Sequence, residues 1–173
     1  VDIAVRSAAL PLIHRGGRVL AVICAPDGEL ELIADAPAVL PAPWVGADDR
    51  WSVPATTPIE LLGPTARQVG APCPTLVQLG VDLAGRDVSV DLEALEAIEI
   101  GGADADADAI VTAIAVSLAG STLAEVATLV SAGVAAHAFL GHRLHRTAAD
   151  PVSAFEIAAK AIGATASMTA STF

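Results

Sequence analysis

Residues 77–119 read VQLGVDLAGRDVSVDLEALEAIEIGGADADADAIVTAIAVSLA, and hydrophobicity changes period along that run. Its first part, with Thr75 and Leu76, gives a strand over residues 75–81, a turn at residues 84–87 around Gly85, and a partner strand over 88–90. A short segment at 91–95 leads to a further strand at 97–100, which Gly101 and Gly102 break. Beyond them Ile110, Ile114 and Leu118 recur at i, i+4 and i+8, the spacing of one helix face, so residues 106–119 are expected to be helical. Strand, glycine pair and helix in that order imply α/β organisation.

Working outward toward the C-terminus, residues 125–130 fit a second buried strand and residues 134–144 a helix. Residues 151–162 form another helix, with Asp150 as its N-cap and Pro151 at the first helical position. Gly163 is expected to close it, and residues 164–173 carry little pattern. Toward the N-terminus, residues 5–14 read as a helix with Val5, Ala9, Leu12 and Ile13 on one face, ended by the Gly16-Gly17 pair. A hairpin follows: the apolar run 19–25 suits a strand buried on both faces. Pro26-Asp27-Gly28 supplies a turn, and in residues 29–33 Leu30 and Leu32 alternate with acids. Three prolines make 36–43 a connector, residues 48–53 an edge strand, and 56–74 a linker with one helical turn at 59–62. The expected architecture is therefore α/β in two domains. A small α+β lobe with a β-hairpin spans residues 1–74, and an αβ lobe built around the glycine pair spans 75–173.

Composition narrows the function. The chain has 173 residues, 54% of them hydrophobic, which is enough apolar surface to offset the entropy of ordering and excludes intrinsic disorder. Two cysteines, Cys24 and Cys73, cannot staple a chain of this length and read as reduced, structural thiols. Nine basic against twenty acidic side chains give a net charge of −11, which repels phosphate and argues against nucleic acid as a partner. Mean hydropathy is +0.62, so a membrane span has to be tested. The least charged region, 109–141, is split by Glu125 into two uncharged runs of sixteen residues. Each is shorter than the roughly 18–20 apolar residues a span needs. The absence of an initiating Met reads as an excised fragment, and no secretion signal is visible.

The strand-Gly-Gly-helix order is that of a phosphate-binding loop, in which a lysine reaches the phosphates and a hydroxyl holds Mg²⁺. Residues 77–119 are similar to the core opening of FtsK/SpoIIIE-type motor ATPases. With Gly102 as the first glycine of that motif, the second falls on Ala107, the lysine on Asp108 and the Ser/Thr on Ala109. The resemblance thus implies a degenerate P-loop-like lobe. Asp104, Asp106 and Asp108 stand where a triphosphate would lie, at a cost of several kcal/mol in Coulomb repulsion. The expectation is a loop (Gly101, Gly102, Asp104, Asp106, Asp108) that binds no nucleotide and no other cofactor.

A longer pattern runs through AVICAPDGELELIAD, the APW and DRWSV connector, TLVQLG, VDLEALEAIEI and DPVSAFEIAAKA. It resembles a cytoplasmic segment of large actinobacterial membrane proteins that carry LysM and bacterial transcriptional activation domains. That resemblance implies a location at the cytoplasmic side of the cell membrane, as part of a larger protein that supplies the membrane segments. The partners implied are flanking domains of the parent, another protein, or a second copy of the chain. The function expected is a non-enzymatic scaffold or signal-coupling module. The alternatives are a divergent nucleotide-binding domain of ATPase type and a DNA-associated transcriptional regulatory domain.

Several other side chains have the composition of known sites. Asp104, Asp106 and Asp108 match the start of a calcium loop, but the sixth and twelfth positions are Ala109 and Ala115, where glycine and a bidentate acid are required. The acids read instead as complements to a helix N-terminus. On a helix His142 and His145 point about 140° and 80° away from His137, which does not converge on a metal. No metal site is expected. His142, Arg143, His145 and Arg146 together form a candidate contact patch for a protein partner. Ser117, Ser121 and Ser131 lack the Gly-x-Ser-x-Gly elbow of a hydrolase. Trp44 and Trp51 read as packing anchors for the connector rather than as a ligand stack.

Overall fold

A computed structural model describes residues 1–62, 66, 70, 72–95, 97–134, 139 and 142–170. The chain divides into two compact units, Val1–Glu99 with Thr122–Ala124, and Ile100–Ser121 with Glu125–Phe173.

In the first unit α1 (Asp2–Ile13) is followed by β1 (Val19–Cys24), β2 (Leu30–Ala34), β3 (Val45–Ala47), β4 (Arg50–Val53), β5 (Leu76–Val81) and β6 (Asp87–Asp91). The strands form one antiparallel six-stranded sheet in the order β3-β4-β2-β1-β6-β5. The hairpin arises as its turn residues dictate. The Gly28 N–H donates to the Ala25 carbonyl at 2.8 Å, Gly28 takes φ 90°, and the Asp27 carboxylate accepts from the Glu29 N–H. α1 ends at Gly16, φ 74°, whose positive φ lets the chain turn back so that the Gly17 N–H reaches the Leu12 carbonyl. Ala4, Val5, Ala8 and Leu12 of α1 close the core against Val19, Val22, Leu30 and Leu32. Trp44 and Trp51 join that core, as packing anchors: the Trp44 indole N–H donates to Ser7 Oγ at 3.0 Å, and that of Trp51 to the Asp48 carbonyl.

The expected boundary at residues 74/75 is not where the units part. β6 pairs with β1 along its length, Ala21↔Val90 to Cys24↔Asp87, so residues 76–91 complete the first sheet. β1 is an apolar strand with hydrogen-bonding groups on both edges. β2 satisfies one edge, and β6 returns from the far side of the linker to satisfy the other. The linker residues 56–74 therefore connect parts of one sheet; the helical turn expected near 59–62 is present as a 3₁₀ turn, Ile59–Leu62.

The second unit contains α2 (Asp104–Gly120), β7 (Leu129–Ala132), β8 (His145–Ala148) and α3 (Pro151–Ala170). β7 and β8 form a two-stranded parallel pair, Leu129↔His145 to Ala132↔Ala148, on which α3 packs. The strand expected at 97–100 is not formed: these residues have no regular structure, and Ile98 is exposed. The second unit thus lacks the strand that should lead into a P-loop. β7 begins four residues later than expected, after a 3₁₀ turn at Ala124–Val126. Of the helix expected over 134–144, residues 135–138, 140 and 141, with His137, lie outside the described residues. Arg143 and Leu144 form a turn that enters β8, a strand the apolar pattern does not reveal.

α3 starts as expected. The Asp150 carboxylate accepts from the Ser153 N–H at 2.8 Å and from its hydroxyl at 2.9 Å. Gly163 does not end it, and the helix continues to Ala170. A single glycine costs a helix about 1 kcal/mol, which neighbouring good helix formers offset.

Candidate functional site

α2 begins directly after the glycine pair. Its N-cap is Ala103, whose backbone is extended and whose side chain caps nothing; the Ala103 carbonyl accepts from the Asp106 and Ala107 N–H groups. Asp104 and Asp106 lie in the first turn, Asp108 follows, and all three are exposed. Gly102 has φ 140°, which excludes most side chains, but a Cβ on either glycine would meet no atom within 4 Å. Asp104 and Asp106 stand in the first turn, where the helix dipole favours negative charge.

The four residues of the expected contact patch are unequally placed: His142 and His145 are half-buried, and Arg143 and Arg146 are exposed. His145 turns inward from β8. Its Nε2 is 2.9 Å from the buried Ser131 Oγ, and its ring stacks on Phe139 with centroids 4.0 Å apart and an 11° interplanar angle. Burial, and then the neighbouring His142, push the His145 pKa below its ordinary value, so the ring is neutral at pH 7. His142 is half-buried and its Nδ1 accepts from the Leu144 N–H at 3.3 Å. Arg143 and Arg146 are exposed. Successive residues of a strand point to opposite faces, which separates Arg146 from His145.

Ser131 and His145 have the separation of a nucleophile and base. Among the described residues no carboxylate hydrogen-bonds the His145 ring to fix it as a base. Stacking on Phe139 orients it instead. Ser131 and Phe139 also line an open cavity of about 410 Å³ whose other wall is Val111, Ile114 and Leu118 of α2. Ile114 and Leu118 belong to the helix face read from the sequence, whereas its third member, Ile110, is exposed and Val111 lines the cavity instead. The cavity was not legible there, because it depends on β7 facing α2.

Two further features have no signal in the local sequence pattern. On the sheet face away from α1, a groove of about 380 Å³ carries Glu31, which accepts from Arg50 Nη1 at 2.8 Å and Arg86 Nη1 at 3.3 Å. Arg86 Nε also donates to Asp82 at 2.8 Å. The Arg86 backbone N–H, and then its guanidinium, hold the Asp82 carboxyl below the usual range. Both arginines are thereby committed to carboxylates, and the network ties β2, β4 and the β5–β6 turn together. The second feature lies on α3. Ser153, Ala154, Ile157, Ala158 and Ala161 are half-buried, whereas Val152, Phe155 and Ile162 are 69%, 78% and 71% exposed. The offsets between those three, with Ala159, are three, four and three residues, so they form one apolar stripe.

No family model, curated protein or solved structure matches the chain. Among the described residues no helix is long and apolar enough to cross a membrane.

Proposed function

We propose that this chain is a non-enzymatic contact module, a scaffold or signal-coupling segment of a larger membrane-associated regulatory protein, placed at the cytoplasmic side of the membrane and acting through protein surfaces. The observation that carries the reading is the α3 stripe. An aromatic and two aliphatic side chains in register, each more than two-thirds exposed, are the signature of a helix face used for association. The acidic, open loop before α2 supports the same reading, because it repels the anionic group that an ATPase would have to hold. The resemblance to actinobacterial proteins with LysM and transcriptional activation domains supplies the setting.

Calorimetric titration with Mg-ATP and Mg-GTP tests the non-enzymatic part. No heat of binding is expected; micromolar affinity for either nucleotide overturns the reading. The variant carrying Ala107→Gly, Asp108→Lys and Ala109→Ser should also stay silent, since no strand leads into the loop. Phe155→Asp, introduced into the full-length parent, tests the contact part. Signalling output should fall while the chain stays folded, and unchanged output would remove α3 as the contact.

A further inference from the structure

The six-stranded sheet has two edges of unlike character. β3 is three residues long and runs into Asp48 and Asp49. β5 is six residues long, LVQLGV, and contains neither charge nor proline. Its only strand neighbour is β6, and among the described residues no backbone hydrogen bond satisfies the outer side of 77–81. Leu79, Val81 and, in the turn beyond, Leu83 are 47%, 62% and 110% exposed. Proteins ordinarily blunt such an edge with lysine, proline or a covering element. β5 has one such device, a bulge between Gln78 and Gly80, and no charged side chain.

We infer that β5 is a pairing edge for a second copy of this chain, antiparallel across a two-fold axis. The inference rests on the contact-module reading and names one partner for it. What the edge offers is directional backbone hydrogen bonding and apolar side chains, with no charge by which a charged partner would be selected. That pattern complements itself: an axis through Gly80 sets Leu79 of one copy opposite Val81 of the other, and Gln78 opposite Asp82. Gln78 is neutral and already donates to Asp87 of its own copy at 2.8 Å, so Asp82 meets no opposing charge across the axis and no two like charges stand directly opposite. The bulge increases local twist, and a two-fold partner carries the same twist. A two-fold contact uses the same edge on both copies, so β5 pairing closes at a dimer, and within the six-stranded sheet it leaves only the short, acid-flanked β3 edge.

Sedimentation velocity across a concentration series, at low and high NaCl, tests this on the whole chain. The expected result is a monomer–dimer equilibrium that tightens with salt, because two copies of charge −11 repel until screened. Val81→Lys should weaken the dimer at least about tenfold. It should leave the thermal midpoint of the monomer unchanged, since Val81 faces Asp87 on β6 and the lysine gains an opposite charge there. Val45→Lys on the β3 edge should have no effect on association. A wild-type chain that stays monomeric, a dimer that ignores Val81→Lys or yields to Val45→Lys, open-ended aggregates, or weakening with salt would each overturn the inference. Failure here would leave the α3 contact standing, because that is read separately from Phe155→Asp in the parent.

Discussion

Cys73 gives the most demanding test of the packing. It is among the most buried side chains of the first unit, close to Leu12, Val19 and Ala9 of the α1–β1 region. Burial, and then the nearby Asp91 and Glu93 carboxylates, push its thiol from an ordinary 9.0 up to about 12. Below pH 9 both folded and unfolded chains hold the proton, and the thiol's contribution is intact. Between about 9 and about 12 the unfolded chain releases the proton and the folded chain keeps it, so stability falls as pH rises. At pH 10 the unfolded state is about tenfold favoured by this ionisation, a loss of about 1.4 kcal/mol relative to pH 8. With an m-value of about 1–3 kcal/mol/M, the urea midpoint should fall by roughly 0.5–1.4 M. The chain has no tyrosine and a single lysine, Lys160, and the second thiol, Cys24, is common to wild type and variant, so the comparison isolates Cys73. Trp44 and Trp51, both in the core with Cys73, report the transition by fluorescence. Cys73→Ala, whatever its stability at pH 8, should lose far less between pH 8 and pH 10. Equal losses in both proteins would refute the argument that the thiol is held protonated by the fold.

Two further outcomes follow from local geometry. Gly46→Ala should destabilise the first unit by about 1–3 kcal/mol, read by urea denaturation, because the new Cβ would lie 2.7 Å from Trp51 Cα and closer still to the Arg50 carbonyl oxygen. Asp150→Ala should reduce the helical signal at 222 nm by freeing the start of α3. In the wild type the Ser153 N–H, and then its hydroxyl, hold the Asp150 carboxyl below its ordinary value. That support is present at neutral pH and is lost as the pH falls through the folded value, whereas Asp150→Asn should show little of this acid dependence.

Residues whose structure depends on neighbours a few positions away were legible. The Pro26-Asp27-Gly28 turn, the glycine end of α1, the apolar alternation of β2 and the Asp150 cap each follow from side-chain chemistry within one turn of chain. The acids beside the glycine pair were equally plain, and the structure leaves them exposed at the start of α2. What failed was the strand at 97–100: an apolar alternation there finds no strand to pair with, and without a partner its backbone has nothing to gain from being extended. β8 failed in the opposite way. His145-Arg146-Thr147-Ala148 has little strand character by composition, yet β7 offers an open edge and the Ser131–His145 contact locks the register. The inward contact of His145 was hidden for the same reason, since a helical reading could not anticipate strand alternation.

The sequence by itself determined the mixed α and β character, most helix and turn positions, and the acidic surface, because these depend on interactions between residues close along the chain. Tertiary structure alone decided that β6 crosses back to β1, that β7 and β8 run parallel, and which apolar side chains stay outside on β5 and α3. Strand pairing joins residues far apart in the chain, and which edge is free to receive a strand is fixed only when every other element has taken its place.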